Sequence, residues 1–146
     1  MKRITAILLI VVISLFSTGI ITSCSCNGSG NVDVQKTDFS TNEALEATVK
    51  WLTETYTHGD KSIVEKYLDY KILPASTNSP CFVRYTLSSI SARDLLVFKD
   101  GKVIVIDDDS LAEVQGYNHL FSVDITKVTN AELMAQSKCV SGTLKK

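Results

Sequence analysis

Few residues in this chain are of a type that carries acid–base, nucleophilic or metal chemistry, and their spacing decides how far each can be taken. The 146 residues include two histidines and four cysteines. His58 stands two positions before Asp60, and a carboxylate near an imidazole raises its pKa towards neutrality, as a general acid–base pair requires. The same residues suit a junction between helices, because a helix C-terminus favours histidine and an N-cap favours aspartate. The junction is the expected role. His119 shares the parity of Phe121 and Val123. If that face lines a cavity, His119 with Tyr85 and Tyr117 would orient a small apolar ligand, since pockets are apolar with a few convergent polar groups. A hydrogen-bonded core or edge histidine is the other outcome. Asp107-Asp108-Asp109-Ser110 offers oxygens of the kind calcium prefers, but consecutive residues lack the spaced ligands and glycine turn of an EF-hand loop, so a solvated loop is expected. There is no HExxH, GxSxG, Walker, GxGxxG or CxxC signature, and two histidines cannot build a three-histidine zinc site. No catalytic residue, metal or cofactor is assigned.

The elements that must position these residues are read from periodicity. Ser40 and Glu43 have the spacing of a capping box. Behind them Ala44, Leu45, Thr48, Trp51, Leu52, Thr55 and Tyr56 recur at helical spacing, with Glu46 and Lys50 one turn apart on the other side. Gly59 suits the left-handed end of that helix and Asp60 the N-cap of a second. The second helix carries Ile63, Val64, Tyr67 and Leu68 on one face and stops before Pro74. The period then changes to two, Cys81, Val83, Tyr85 and Leu87 alternating with Phe82, Arg84, Thr86 and Ser88 in a half-buried strand. Residues 95–106 read as a hairpin around Asp100-Gly101, with a type I′ turn expected. A fourth strand is predicted over residues 117–128, and Thr129 with Glu132 repeats the capping box before a short helix from Asn130 to about Ser137. Helices first and strands afterwards predict an α+β domain over residues 39–146: two N-terminal helices packed on one face of a curved antiparallel sheet of about four strands, with a short C-terminal helix.

The N-terminus carries a different signal. Met1-Lys2-Arg3 is followed by an apolar stretch from Ile4 to Phe16, broken only by Thr5 and Ser14, the pattern of an export signal. Ile21-Thr22-Ser23-Cys24 resembles the lipobox of bacterial lipoproteins. That resemblance implies a signal peptide of residues 1–23, cleavage before Cys24 and a diacylglyceryl group on its thiol. Two or three acyl chains make such an anchor durable where one is marginal. Residues 24–38 begin Cys-Ser-Cys-Asn-Gly-Ser-Gly-Asn and read as a flexible tether. No Asp follows Cys24, which by resemblance to the sorting rules of Gram-negative lipoproteins implies the outer membrane, facing the periplasm. Asp109-Ser110-Leu111 also resembles the three-residue O-glycosylation signal of exported Bacteroidetes proteins. An exported compartment permits a disulfide between Cys81 and Cys139, two separate buried thiols being the alternative.

Removing Lys2 and Arg3 from the 15 basic residues leaves 13 against 16 acidic ones, a net charge of −3. With no basic cluster, nucleic acid is excluded as a partner. The longest apolar run after the tether is Val103-Ile104-Val105-Ile106, far short of the roughly 20 residues that span a bilayer.

A long helix, the His58-Gly59-Asp60 break, a second helix and an antiparallel sheet resemble the cone-shaped fold of nuclear transport factor two and ketosteroid isomerase, over about residues 39–128. That superfamily has more strands, and a strand and third helix where only Ile72-Leu73 hints at a strand here, so the resemblance implies a fold and no site residues. The expected function is a membrane-tethered, non-enzymatic binding or interaction module with an envelope protein as partner. The alternative is a small-ligand binder or cavity enzyme using His119 and the tyrosines, and a third reading is a structural envelope protein. An enclosed apolar pocket at His119 would favour the alternative, and a filled core with an exposed aromatic patch would favour partner recognition.

Overall fold

The computed structural model describes residues 39–77, 79–88 and 92–144. The expected signal peptide, the candidate lipid-attachment residue Cys24 and the expected tether lie outside the described residues.

Helix α1 (Thr41–Tyr56) begins where its local chemistry says it should. The Ser40 hydroxyl accepts from the Glu43 amide at 3.2 Å, and the Glu43 carboxylate accepts from the Ser40 amide at 2.7 Å, so two otherwise orphaned donors are satisfied. Its buried face is Ala44, Thr48, Val49 and Leu52. This stripe is rotated from the expected one: Val49 points inward, while Thr55 and Tyr56 are exposed. Thr48 is a buried polar residue, and its hydroxyl donates to the Ala44 carbonyl at 2.7 Å. His58 and Gly59 take left-handed φ values of 49° and 96°, and Asp60 caps α2 (Lys61–Tyr67).

The second helix does not run on towards Pro74. It ends at Tyr67, and the chain enters strand β1 (Leu68–Pro74) without a loop. Cross-strand partners override helical spacing here. Strand β1 is antiparallel both to β2 (Cys81–Leu87) and to β5 (Val140–Thr143). With β3 (Arg93–Val97) and β4 (Val103–Val105) they form an open five-stranded antiparallel sheet in the order β4-β3-β2-β1-β5. The expected count of about four was therefore too low, and β1 and β5 are the strands it lacked. The β3–β4 hairpin forms in the predicted place, with Val97 opposite Val103, but its turn is different. The Gly101 amide donates to the Phe98 carbonyl and only Gly101, at φ 88°, is left-handed. Lys99-Asp100-Gly101 is a three-residue loop with a glycine bulge rather than a type I′ turn.

The sheet is buried on both faces. Ile72, Cys81, Val83, Leu95 and Val97 pack with α1 and with Val64 of α2. Their sequence neighbours Leu73, Phe82 and Leu96, with Ile104 across the sheet, point the other way and form a second core with Val114, Ile125, Val128 and Leu133. Strand β2, expected to be half-buried, is thus covered on both sides at Phe82. The second cover is irregular. The strand predicted over residues 117–128 is absent. In its place are α3 (Leu111–Gln115), a 3₁₀ turn (Asn118–Leu120), tight turns and α4 (Asn130–Met134), which stops short of the expected Ser137. Side chain–backbone bonds win over alternation there: Asn118 accepts from the Ile125 amide at 3.0 Å and donates to Asp124 at 2.8 Å.

The Cys81–Cys139 disulfide is not formed; both thiols are free. Cys81 belongs to the helix-side core and Cys139 packs against the opposite one, so the sheet separates them. No described helix is long and apolar enough to cross a membrane.

Candidate functional site

The polar residues singled out from the sequence do not converge. Tyr85 lies in the helix-side core, 3% exposed, and burial, then its hydrogen bond with Tyr56, pushes its phenol above the ordinary value. Tyr117 is on the other side of the sheet, its ring edge-on to Phe98 with centroids 5.2 Å apart. His119 is exposed on the 3₁₀ turn. It lines an open cleft of about 390 Å³ whose other walls include Pro74, Ser76, Phe121 and Lys138. This cleft sits among the loop after β1, the 3₁₀ turn and the segment after α4, and the Ser76 amide, donating to the Leu120 carbonyl at 2.7 Å, joins the first two. Two sheet faces thus divide the three residues that a shared ligand site would have needed together.

The other candidates are committed to structure. Asp60 accepts from the Ser62 hydroxyl at 2.6 Å and its amide at 3.0 Å, bonds that hold its carboxyl below the usual range, so the His58–Asp60 segment is the helix junction. Asp107 and Ser110 close a reciprocal turn, each amide donating to the other's side chain at 3.0 Å, and the Ser110 hydroxyl donates to the Val105 carbonyl. Among the described residues no cluster of histidine, cysteine or carboxylate side chains is arranged to hold a metal ion. Burial raises the Cys81 thiol to about 12, far from the thiolate a nucleophile needs.

Three features escaped the sequence reading. The first is a clamp: Arg84, cross-strand from Asp94, binds it through Nε at 2.7 Å and Nη2 at 2.6 Å. Nη2 also donates to the Val128 carbonyl at 2.9 Å and Nη1 to Asn130 at 3.2 Å, so one guanidinium ties the irregular cover to the sheet. The second is Asp124, whose carboxylate accepts from Asn118 and from both Thr126 donors and pairs with Lys127. Those bonds, Thr126 first, hold it well below its ordinary value. A lone Arg at an outward parity and an Asp in a turn are weak sequence signals for either. The third is an exposed apolar end, where Tyr56, Ile63 and Tyr67 are 49%, 42% and 39% exposed. Ile63 and Tyr67 lie one turn apart on α2. Tyr56 lines a small niche with Tyr85, Leu87 and Arg93, and Tyr67 directly precedes Leu68, the partner of Leu87, so both aromatics belong to the same end of the sheet. The isolated Tyr56 at the end of the α1 stripe was the one available signal.

Compared with protein-family models, curated proteins and solved structures, the chain matches none.

Proposed function

We propose that this chain is a bacterial lipoprotein, held at the periplasmic face of the outer membrane by a lipid on Cys24, whose domain docks another envelope protein without catalysing a reaction. The anchor rests on the lipobox-like Ile21-Thr22-Ser23-Cys24 behind an apolar leader. The docking role rests on the exposed end formed by Tyr56, Ile63 and Tyr67. Three large side chains stay partly in water at that end of the sheet, and tyrosine is enriched in protein interfaces. Lys66, 5.0 Å from the Tyr67 ring centroid, adds a polar rim. The resemblance to the nuclear transport factor two fold remains part of this reading only as helices over an antiparallel sheet; the tyrosines do not support its cavity version.

Two measurements test the halves separately. Cys24→Ser should abolish lipid labelling and release the protein from membranes; a labelled, membrane-bound variant would refute the anchor. A photo-crosslinker at Tyr67 or Ile63 in cells should capture one reproducible envelope protein that a crosslinker at Glu113, on the opposite side of the sheet, does not. Equal capture from both positions would refute the docking end.

A further inference from the structure

We infer that the domain stands on the bilayer by the end at which the chain enters it, and that the cleft beside His119 and Lys138 takes the phosphate of a phospholipid headgroup. This stance presupposes the lipid anchor of the proposed function and owes nothing to its aromatic end. Two independent observations point the same way. The first is the place of entry. Phe39, the first described residue, lines a pocket of about 240 Å³ with Ser40, Thr41 and Thr77. Pro74, Ala75, Ser76 and Lys138 line both this pocket and the cleft of His119, so Lys138 stands where the two meet. Phe39 is fifteen positions beyond Cys24, and fifteen residues reach at most about 50 Å even when fully extended. A lipid on Cys24 therefore keeps this end near headgroups at a roughly millimolar effective concentration, so that a weak site suffices.

The second observation is the chemistry of the lining. No aspartate or glutamate lines either pocket, although the whole chain carries a net charge of −1. Lys138 and His119 are both exposed, and among the described residues no ion pair takes up either. An ammonium offers three donors and an imidazole at least one in either protonation state, and a lysine beside an anionic leaflet is drawn to it. The hydroxyls of Ser76 and Ser137 share the lining. Glu43 is the negative charge at the rim. Its carboxylate is held by the Ser40 amide and hydroxyl at 2.7 and 2.8 Å, and Lys99 is near enough to act on its charge. Pro74 and Phe121 give the opening an apolar wall, which suits a boundary that is wet on one side only. Helix α1 begins beside this opening and ends beside Leu87. Its 16 residues rise about 24 Å, so the same stance lifts Tyr56 away from the leaflet, where a partner can reach it.

The test uses the isotope-labelled chain purified from membranes with its native N-terminus. In maltoside micelles, which carry no phosphate, glycerol 3-phosphate should shift the amides of Ser76, His119 and Lys138 with a Kd of about 1–10 mM. In phosphatidylglycerol nanodiscs carrying a gadolinium-chelating headgroup, the same amides should broaden at least about fivefold more than those of Ile63 and Tyr67, which lie at the far end of the helix pair. Lys138→Glu should weaken glycerol 3-phosphate about tenfold and remove at least about half of the broadening contrast. Lys138→Gln, a gentler change, should fall between the two. Lys50→Glu, the same charge reversal outside both pockets, should change neither reading. Shifts in the micelle without preferential broadening in the disc would make the ligand a free phosphate and overturn the lipid assignment. Shifts in neither setting, or a contrast untouched by Lys138→Glu, would overturn the cleft. Intact mass reads the anchor by itself: a chain without acyl groups sinks the anchor and the stance together, whereas an acylated chain with a silent cleft sinks the stance alone.

Discussion

The two sides of the sheet are equally dry and are built on opposite plans. Leu95 and Leu96 are consecutive, both 0% exposed, and point to different cores. Leu95 meets a 16-residue helix with a capping box and a periodic face. Leu96 meets a cover whose helices are five residues long, too short to be stable by themselves, and which is fixed by bonds to distant residues: Arg84 to Val128 and Asn130, Ser76 to Leu120. Burial alone therefore says little about how a core is organised. One side is held by local order that packing then rewards, and the other acquires order only by being packed.

The sharpest way to break that contrast is to make the same truncation on each side. Leu95→Ala and Leu96→Ala should each cost about 2–5 kcal/mol by chemical denaturation, and should do so within about 1 kcal/mol of each other. A cost below about 1 kcal/mol at Leu96 alone would mean that the irregular cover is not packed as a core. The next effect in size concerns the clamp. Asp94→Ala leaves the Arg84 side chain, 14% exposed, without its carboxylate but with its bonds to Val128 and Asn130, and leaving such a part-buried charge short of a partner costs about 1–3 kcal/mol. Hydrogen exchange should then speed up first at amides of residues 128–139, with α1 following only the global loss. Uniform loosening would show that Arg84 stabilises the sheet rather than holding its cover.

The same contrast explains what could be read from the chain beforehand. The start of α1, the Asp60 cap, strand β2 and the β3–β4 hairpin were legible because their causes lie within a few residues: a capping box, an Asx cap, strict alternation, an Asp-Gly pair. Strand β1 was misread because the apolar spacing of the second helix runs on into Leu68, and only pairing with β2 across the 75–80 loop and with β5, far along the chain, makes it a strand. The supposed strand at 117–128 failed in the opposite direction. Its alternation was real, but Asn118 and Asp124 bend the segment into turns. As that strand disappeared, so did the shared face on which His119, Tyr117 and Tyr85 had been assembled. The exposed end at Tyr56 and Tyr67 left only a weak trace, Tyr56 at the end of the α1 stripe, since a tyrosine at helical spacing reads as core until the layers are known.

The smallest effects compare the two capping boxes, one on each side of the sheet. Ser40→Ala and Thr129→Ala each remove a hydroxyl that accepts an amide at 3.2 Å, and each should cost about 1 kcal/mol if the helix it starts is integral to folding. Their acid behaviour should match as well. The carboxyls of Glu43 and Glu132 lie below their ordinary value of 4.5, chiefly through the backbone amides of Ser40 and Thr129. A depressed carboxyl stabilises the folded state above its unfolded pKa and loses that contribution as pH falls through the folded value, so both boxes weaken below about pH 4.5. Glu43→Gln and Glu132→Gln, which remove the titrating group and keep the amide contact, should therefore lose less stability than the wild type between pH 5 and pH 3, roughly the span over which these carboxylates protonate. If Glu43→Gln flattens the acid limb and Glu132→Gln does not, helix α4 is carried passively by Leu133 in the second core, and its cap follows packing rather than directing it.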